Sequence, residues 1–216
     1  MSRGPRFAFE NSFLHVFNRG INRQSIFFSP ADYIFFLKKL LEIKRKYDHS
    51  IYALCLMPDH FHISIQTRKV SISKIMSSLT TSYSMYFNRN HHHFGPVFQN
   101  RFKSILIEND NYFIALSRYI YLNPVKSGLV EDPQLYPYSS FNEAIGKEPL
   151  KFLDVDIIRL IGETKQSQEN YQKFVYEGLT ENLDQFESLF TKEEVVLGST
   201  QFANRAMRKY LRRKHS

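Results

Sequence analysis

The chain has 216 residues, 43% of them hydrophobic and 23% charged, enough for one well-buried domain with an appendage but short for two full domains. It holds no run of about 18 apolar residues of the kind that spans a membrane, and no apolar core of a secretion signal follows Arg3 and Arg6. Cys55 is the single cysteine, which excludes an internal disulfide and points to the cytoplasm. The formal net charge of +8 is unevenly spread. Residues 1–149 carry 18 basic and 11 acidic side chains, residues 150–194 carry 5 and 10, and residues 195–216 carry 6 basic and none acidic. A basic front and a basic tail separated by an acidic spacer suit a polyanionic partner.

In chain order, Phe13 to Asn18 alternates as a strand does and closes on the turn signal Asn18-Arg19-Gly20. Ser29 and Pro30 open a helix expected to reach Tyr47, with Ile34, Leu37, Leu40 and Leu41 as its apolar stripe. Ile51 to Met57 and His60 to Gln66 flank Pro58-Asp59 and suggest an antiparallel ribbon. Ser73 to Asn88 follows as a helix, then a loop with three histidines (His91 to His93), then an extended stretch from Val97 to Ile107. Asn109 or Asp110 can cap a helix from Tyr112 to about Leu122, which Pro124 is expected to end. This order predicts an α+β fold, an antiparallel sheet with helices packed on it. Lys147-Glu148-Pro149 marks a boundary between residues 1–149 and a helical extension, 150–216.

His60-Phe61-His62 lies in a strand, so both imidazoles project to one face and Phe61 to the other. That arrangement suits two ligands of one metal ion, and equally a pair of histidines that only hydrogen-bond. Tyr119 and Asn123 stand four apart on a helix and share a face. Asn123 falls in the last turn, where the helix dipole favours a cation, and its amide oxygen can ligate a hard ion such as Mg²⁺ or Mn²⁺. A phenol one turn away could attack a phosphorus polarised by that ion. Against this stands a plain alternative, in which Tyr119 and Tyr121 are packing aromatics and Asn123 a helix cap.

Four segments together carry a resemblance: MPDHFH (Met57 to His62), GPVFQNRFKS (Gly95 to Ser104), SRYIYLNPVKSGLV (Ser117 to Val130) and YPYSS (Tyr136 to Ser140). In order and spacing they resemble the single-tyrosine HUH transposases, in particular the REP-associated tyrosine transposases and related short insertion-sequence transposases. The resemblance runs from about Phe13 to Ser140. It implies a ferredoxin-like nuclease core, with His60 and His62 as metal ligands, Asn123 as the third and Tyr119 as nucleophile. Gln99, Arg101 and Lys103 then fall in a segment expected to approach DNA, and no role beyond sheet and turn is assigned to His15 or to Asn18-Arg19-Gly20. The implied reaction is cleavage and rejoining of single-stranded DNA beside a hairpin through a 5′-phosphotyrosine, with Mg²⁺ or Mn²⁺. Monomer or homodimer is left open.

At the C-terminus, Ser199 or Thr200 can cap a helix whose apolar stripe is Phe202, Ala206, Met207 and Tyr210. Arg205, Arg208, Lys209, Arg212 and Arg213 crowd its other side, so the helix reads as a DNA phosphate contact or as a solvated basic face. Two rival functions stand beside the transposase reading. A two-histidine phosphoesterase would use His62-Ile63-Ser64 but needs a second His-x-Ser/Thr, which the other histidines do not supply. A DNA-binding regulator that kept the fold but lost transposition is at odds with the intact set His60, His62, Tyr119 and Asn123.

Overall fold

A computed structural model describes residues 7–108, 110–154, 161–180 and 196–214. Asn109, the side chains of Asp110, Asn111, Arg213 and Lys214, and residues 155–160 and 181–195 lie outside the described residues. Strand β1 (Phe13–Arg19) leads through a short 3₁₀ turn to helix α1 (Pro30–Lys46), then β2 (His49–Leu56), β3 (His60–Thr67), helix α2 (Ile72–Asn90) and β4 (Lys103–Ile107). Helix α3 (Asp110–Lys126), a short α4 (Phe141–Ala144), α5 (Lys165–Glu177), β5 (Val196–Leu197) and α6 (Thr200–Lys214) complete the described order.

The sheet order is β2-β3-β1-β4-β5, antiparallel except for the two-residue β5, which joins β4 in parallel. An α+β fold with an antiparallel core sheet is therefore what this chain adopts, with one parallel edge that the alternation pattern did not announce. The other edge is covered too. Leu56 N–H donates to Tyr138 O, Tyr136 Oη donates to Leu56 O, and Ser140 N–H donates to Leu54 O, so the Tyr136–Ser140 segment satisfies edge groups that could otherwise recruit another chain.

Helices cover both faces. On one, Phe61 packs on Phe36 of α1 and near Phe98, and Leu14, Val16, Ile63 and Ile65 are buried with it. On the other, Phe113 of α3 sits edge-on to Phe13 and Tyr52. Helix α3 is in turn backed by α5: Ser117 Oγ and Tyr171 Oη hydrogen-bond at 2.6 Å, and the Arg118 guanidinium lies 4.3 Å from the Phe174 ring centroid. This backing explains why the buried positions of α3 exceed one helical stripe.

Four details differ from the sequence expectations. The buried face of α1 is Tyr33, Phe36, Leu40 and Ile43, while Ile34 is 48% exposed. Aromatic stacking decides this: Tyr33 lies flat between Phe27 and Tyr138. The stretch from Val97 is extended only from Lys103, because Phe98 bridges to Gly20 and the chain bends over the end of β1. Helix α3 runs through Pro124 rather than ending there. Proline forfeits one hydrogen bond, but Ser127 N–H still reaches Asn123 O and Leu129 N–H reaches Pro124 O. Gly128, at φ +68°, makes the actual stop. Finally, Met207 is 43% exposed on α6, whose docked side is Phe202, Ala206 and Tyr210.

Candidate active site and nucleic-acid interface

Strand periodicity sets the first pair. His60, His62, Ser64 and Gln66 alternate with Phe61, Ile63 and Ile65, so both imidazoles face α3, their centroids 5.0 Å apart and their planes nearly perpendicular. Register adds a third histidine. β1 runs antiparallel to β3 with Phe17 opposite His62 and His15 opposite Ser64, which puts His15 diagonal to His62. Their rings stack at 5.1 Å, and His15 Nε2 lies 2.9 Å from His62 Nδ1. Burial pulls His15 down to about 3, and burial together with the neighbouring His60 and His15 holds His62 well below the usual histidine range. Both rings are thus neutral near pH 7, and one donates to the other. If His62 Nδ1–H is the donor, its Nε2 carries the lone pair that a metal needs.

His60 is oriented in a parallel way. Its Nδ1 lies 2.6 Å from Asp59 Oδ1. Burial pushes the Asp59 carboxyl up, but the hydrogen bond and charge of His60, with a backbone hydrogen bond and the charge of Arg19, together hold it below its ordinary value. A carboxylate on the remote nitrogen is how metal-binding histidines are commonly fixed in tautomer and direction. Nε2 of both rings is buried. Among the described residues no three His, Cys, Asp or Glu side chains form a metal-holding group.

Tyr119 projects from α3 onto His62 and His15. Its ring stands perpendicular to His62 at 5.4 Å and to His15 at 6.5 Å, and it is 3% exposed. Asn123 lies one turn further, its Nδ2 donating to Tyr119 O at 3.0 Å; that bond uses the amide nitrogen and leaves Oδ1 as an acceptor. Tyr121 points elsewhere. It is fully buried against Phe141, with Oη 3.4 Å from Tyr52 O and from Ser140 Oγ, and burial pushes its phenol well above the usual range.

The basic rim is built by a tight turn. Gly20 sits at an ordinary φ of −62°, yet a Cβ there would lie 2.0 Å from Gln24 O. Close approach, rather than backbone freedom, is what requires glycine. The turn donates Gly20 N–H to Asp59 O and Ile21 N–H to Val97 O, and Arg19 O accepts from Gln99 N–H. It thereby ties the 97–102 loop to the strand end that carries His60. Arg19 Nε donates to Gln99 Oε1 at 2.7 Å, Arg101 lines the same shallow recess, and the exposed Lys103 pairs with Phe17, on the face of His62.

The C-terminal cations lie apart from this rim. Ser199 caps α6, accepting from Phe202 N–H at 3.2 Å, and is itself held by Glu108 through its N–H and Oγ. Arg205 approaches Glu108 at 3.9 Å. Tyr210 packs on Phe7 at 5.2 Å and Lys209 lies 4.5 Å above the Phe9 ring; Arg208 and Arg212 are exposed. His91 is paired with the buried Asp32 at 2.8 Å and His93 with Asn88, so these two histidines of the loop serve structure. Sequence reasoning passed over His15 and Asp59 as site residues. Asp59 had a signal, an acid directly before the pair; His15 had none without the register.

The site thus combines one histidine-bearing sheet face, a tyrosine-bearing helix over it and a cationic rim at the strand end. The pattern of the family described as Transposase IS200 like matches residues 8–123, and the chain belongs to that family. A Haemophilus influenzae protein named as a REP-associated tyrosine transposase is 31% identical over 113 residues, 47% of this chain and 64% of that protein. The match thus spans less than two thirds of that relative. A solved REP-associated tyrosine transposase bound to a REP hairpin shares the fold at a TM-score of 0.58, with 20% identity over 71% of this chain and 91% of that one. A Deinococcus radiodurans protein described as a transposase reaches a TM-score of 0.39 with 16% identity, over 56% of this chain and 95% of that one. No helix among the described residues is long and apolar enough to cross a membrane.

Proposed function

We propose that this protein is a transposase that cleaves and rejoins single-stranded DNA beside hairpins, with Tyr119 as nucleophile. The observation that carries the reading is the Tyr119 ring set against His62, while His60 and His62 are each oriented through Nδ1 by a neighbour. Family membership and the hairpin-bound relative with the same fold support it.

Tyr119 Oη attacks the scissile phosphorus, the P–O3′ bond breaks, and the phenol proton leaves as the departing 3′-oxygen gains one. The products are a 5′-phosphotyrosine and a free 3′-hydroxyl. Rejoining reverses these steps with another 3′-hydroxyl and needs no ATP, because the phosphotyrosine keeps the phosphodiester bond energy. His60, His62 and Asn123 would hold Mg²⁺ or Mn²⁺, which when bound supplies positive charge to the phosphate oxygens. Arg101 and Lys103 neutralise flanking phosphates, and Gln99, through Arg19, positions the loop that carries Arg101. Since Tyr119 is 3% exposed, the strand reaches it only as α3 yields to the substrate. A chromosomal substrate puts the work in the cytoplasm.

The test is a covalent adduct. A single-stranded hairpin oligonucleotide incubated with the protein and Mn²⁺ should give a species that survives denaturing electrophoresis. Tyr119→Phe should abolish it and leave binding intact. Loss of the adduct in Tyr121→Phe with retention in Tyr119→Phe would overturn the assignment.

A further inference from the structure

A second cationic site lies at the far end of the sheet. β3 carries His60 and His62 at its start and delivers Arg68 and Lys69 just past its end. The N-terminal segment crosses at that same end: Thr67 Oγ1 donates to Phe9 O at 2.8 Å, and Thr67 N–H donates to Ser12 O at 3.0 Å. Helix α6 docks on this segment through Tyr210 on Phe7, which brings Lys209 and Arg212 beside the β3–α2 turn. Three segments distant in sequence thereby enclose one open cleft of about 640 Å³, lined among the described residues by Arg68, Lys69, Lys209 and Arg212 and by one carboxylate, Glu10. Arg205 is drawn away to Glu108 and takes no part.

The cleft's place on the sheet sets its distance from the chemistry. Arg68 follows His62 by six residues, which at strand rise is about 20 Å. A DNA strand advances about 3.4 Å per nucleotide, so the same span is about six nucleotides. Four cations around one acid, on a wide open cleft, suit a phosphodiester backbone better than a base edge, which calls for planar donor–acceptor pairs.

We propose that this cleft grips the DNA backbone about six nucleotide steps from the scissile phosphate, so that a hairpin stem must reach that far to gain it. The proposal rests on the DNA-processing reading above and adds a stem-length requirement to it. Occupation by the chain's own acidic spacer is the competing outcome.

The experiment measures equilibrium binding of hairpin oligonucleotides with stems of 4, 6, 8 and 12 base pairs to the full chain, across a salt series. Wild-type affinity should step up once the stem exceeds about six base pairs. Lys69→Gln, and Lys69→Gln with Arg212→Gln, should remove that step and lower the salt slope by about 0.7–0.9 for each phosphate left without its cation. Short-stem binding and adduct yield at saturating DNA should stay unchanged. Glu10→Gln should shift long-stem affinity the opposite way, which no folding defect would produce. Equal weakening of all stems, or unchanged slopes, would overturn the proposal, and a gain of affinity in Lys69→Gln would assign the cleft to the acidic spacer. If wild type gave no adduct but the stem-length step persisted, the nuclease reading would fail while the grip stood.

Discussion

The two faces of one sheet are built for opposite ends. Toward α1 and α2 the strands present Leu14, Val16, Phe61, Ile63 and Ile65, each at most 1% exposed, against Phe36, Leu40, Ile75 and Leu79. Toward α3 the same strands present His15, His62, Ser64 and Gln66, almost as deeply buried. Burial is therefore not what separates packing from chemistry here. On one face water is replaced by hydrocarbon, which lowers the free energy directly. On the other it is replaced by imidazoles and hydroxyls that must satisfy one another, and the gain is orientation rather than stability.

This difference between the faces predicts a graded set of effects. Phe61→Ala should have the largest, about 3–5 kcal/mol of stability, from the forfeited transfer energy and a residual cavity between sheet and α1; chemical denaturation measures it. A cost below about 1 kcal/mol would mean that the apolar face collapses around the gap. On the polar face, His15→Leu should cost about 1–3 kcal/mol because His62 Nδ1 loses its partner, and Mn²⁺ affinity by calorimetry should fall about 10–100-fold. His15→Leu with His62→Leu should recover part of the stability but no metal binding, since no imidazole is then left buried at that spot without its partner. If the double variant were less stable than the sum of the singles, the pair would be no unit.

Tyr121→Phe should cost about 0.5–1.5 kcal/mol for its long hydroxyl bonds and leave adduct formation intact. The smallest effect tests a histidine on the apolar face. The register sets His49 opposite Thr67, and burial, ahead of an opposing bond with Tyr47 O, holds it below the usual histidine range. A histidine kept neutral in the fold contributes stability that is complete above pH of about 6.5 and is lost as the pH falls toward its depressed value. His49→Asn should flatten that part of an acid-unfolding profile; an unchanged slope would show that the fold does not hold His49 below its ordinary range.

Much of this was legible along the chain. Alternation marked β1 and β3, Ser29-Pro30 marked the start of α1, and the His-x-His spacing already implied that two imidazoles share a face, because a strand repeats every two residues whatever surrounds it. Likewise Tyr119 and Tyr121 could be told apart by helical angle alone. Where the local pattern misleads, the cause lies outside it. Pro124 does not end α3, since a proline's missing N–H costs one bond and the flanking bonds and Gly128 carry the helix further. Ile34 looks apolar enough for the core, but Tyr33 stacked between Phe27 and Tyr138 takes the inward position.

Backbone periodicity acting over a few residues is enough to specify the strands and helices, the two faces of β3, and the placing of Tyr119 and Asn123 one helical turn apart. It is not enough to specify that His15 supports His62, that Asp59 is bonded to His60 beneath the Gly20 turn, or that Arg68 and Lys69 share a cleft with Lys209 and Arg212. The partners are separated by 47 residues in the first of these and by well over a hundred in the last. Their meeting depends on strand register and helix docking, which are set by the sum of packing across the whole sheet and leave no mark in any local stretch of residues.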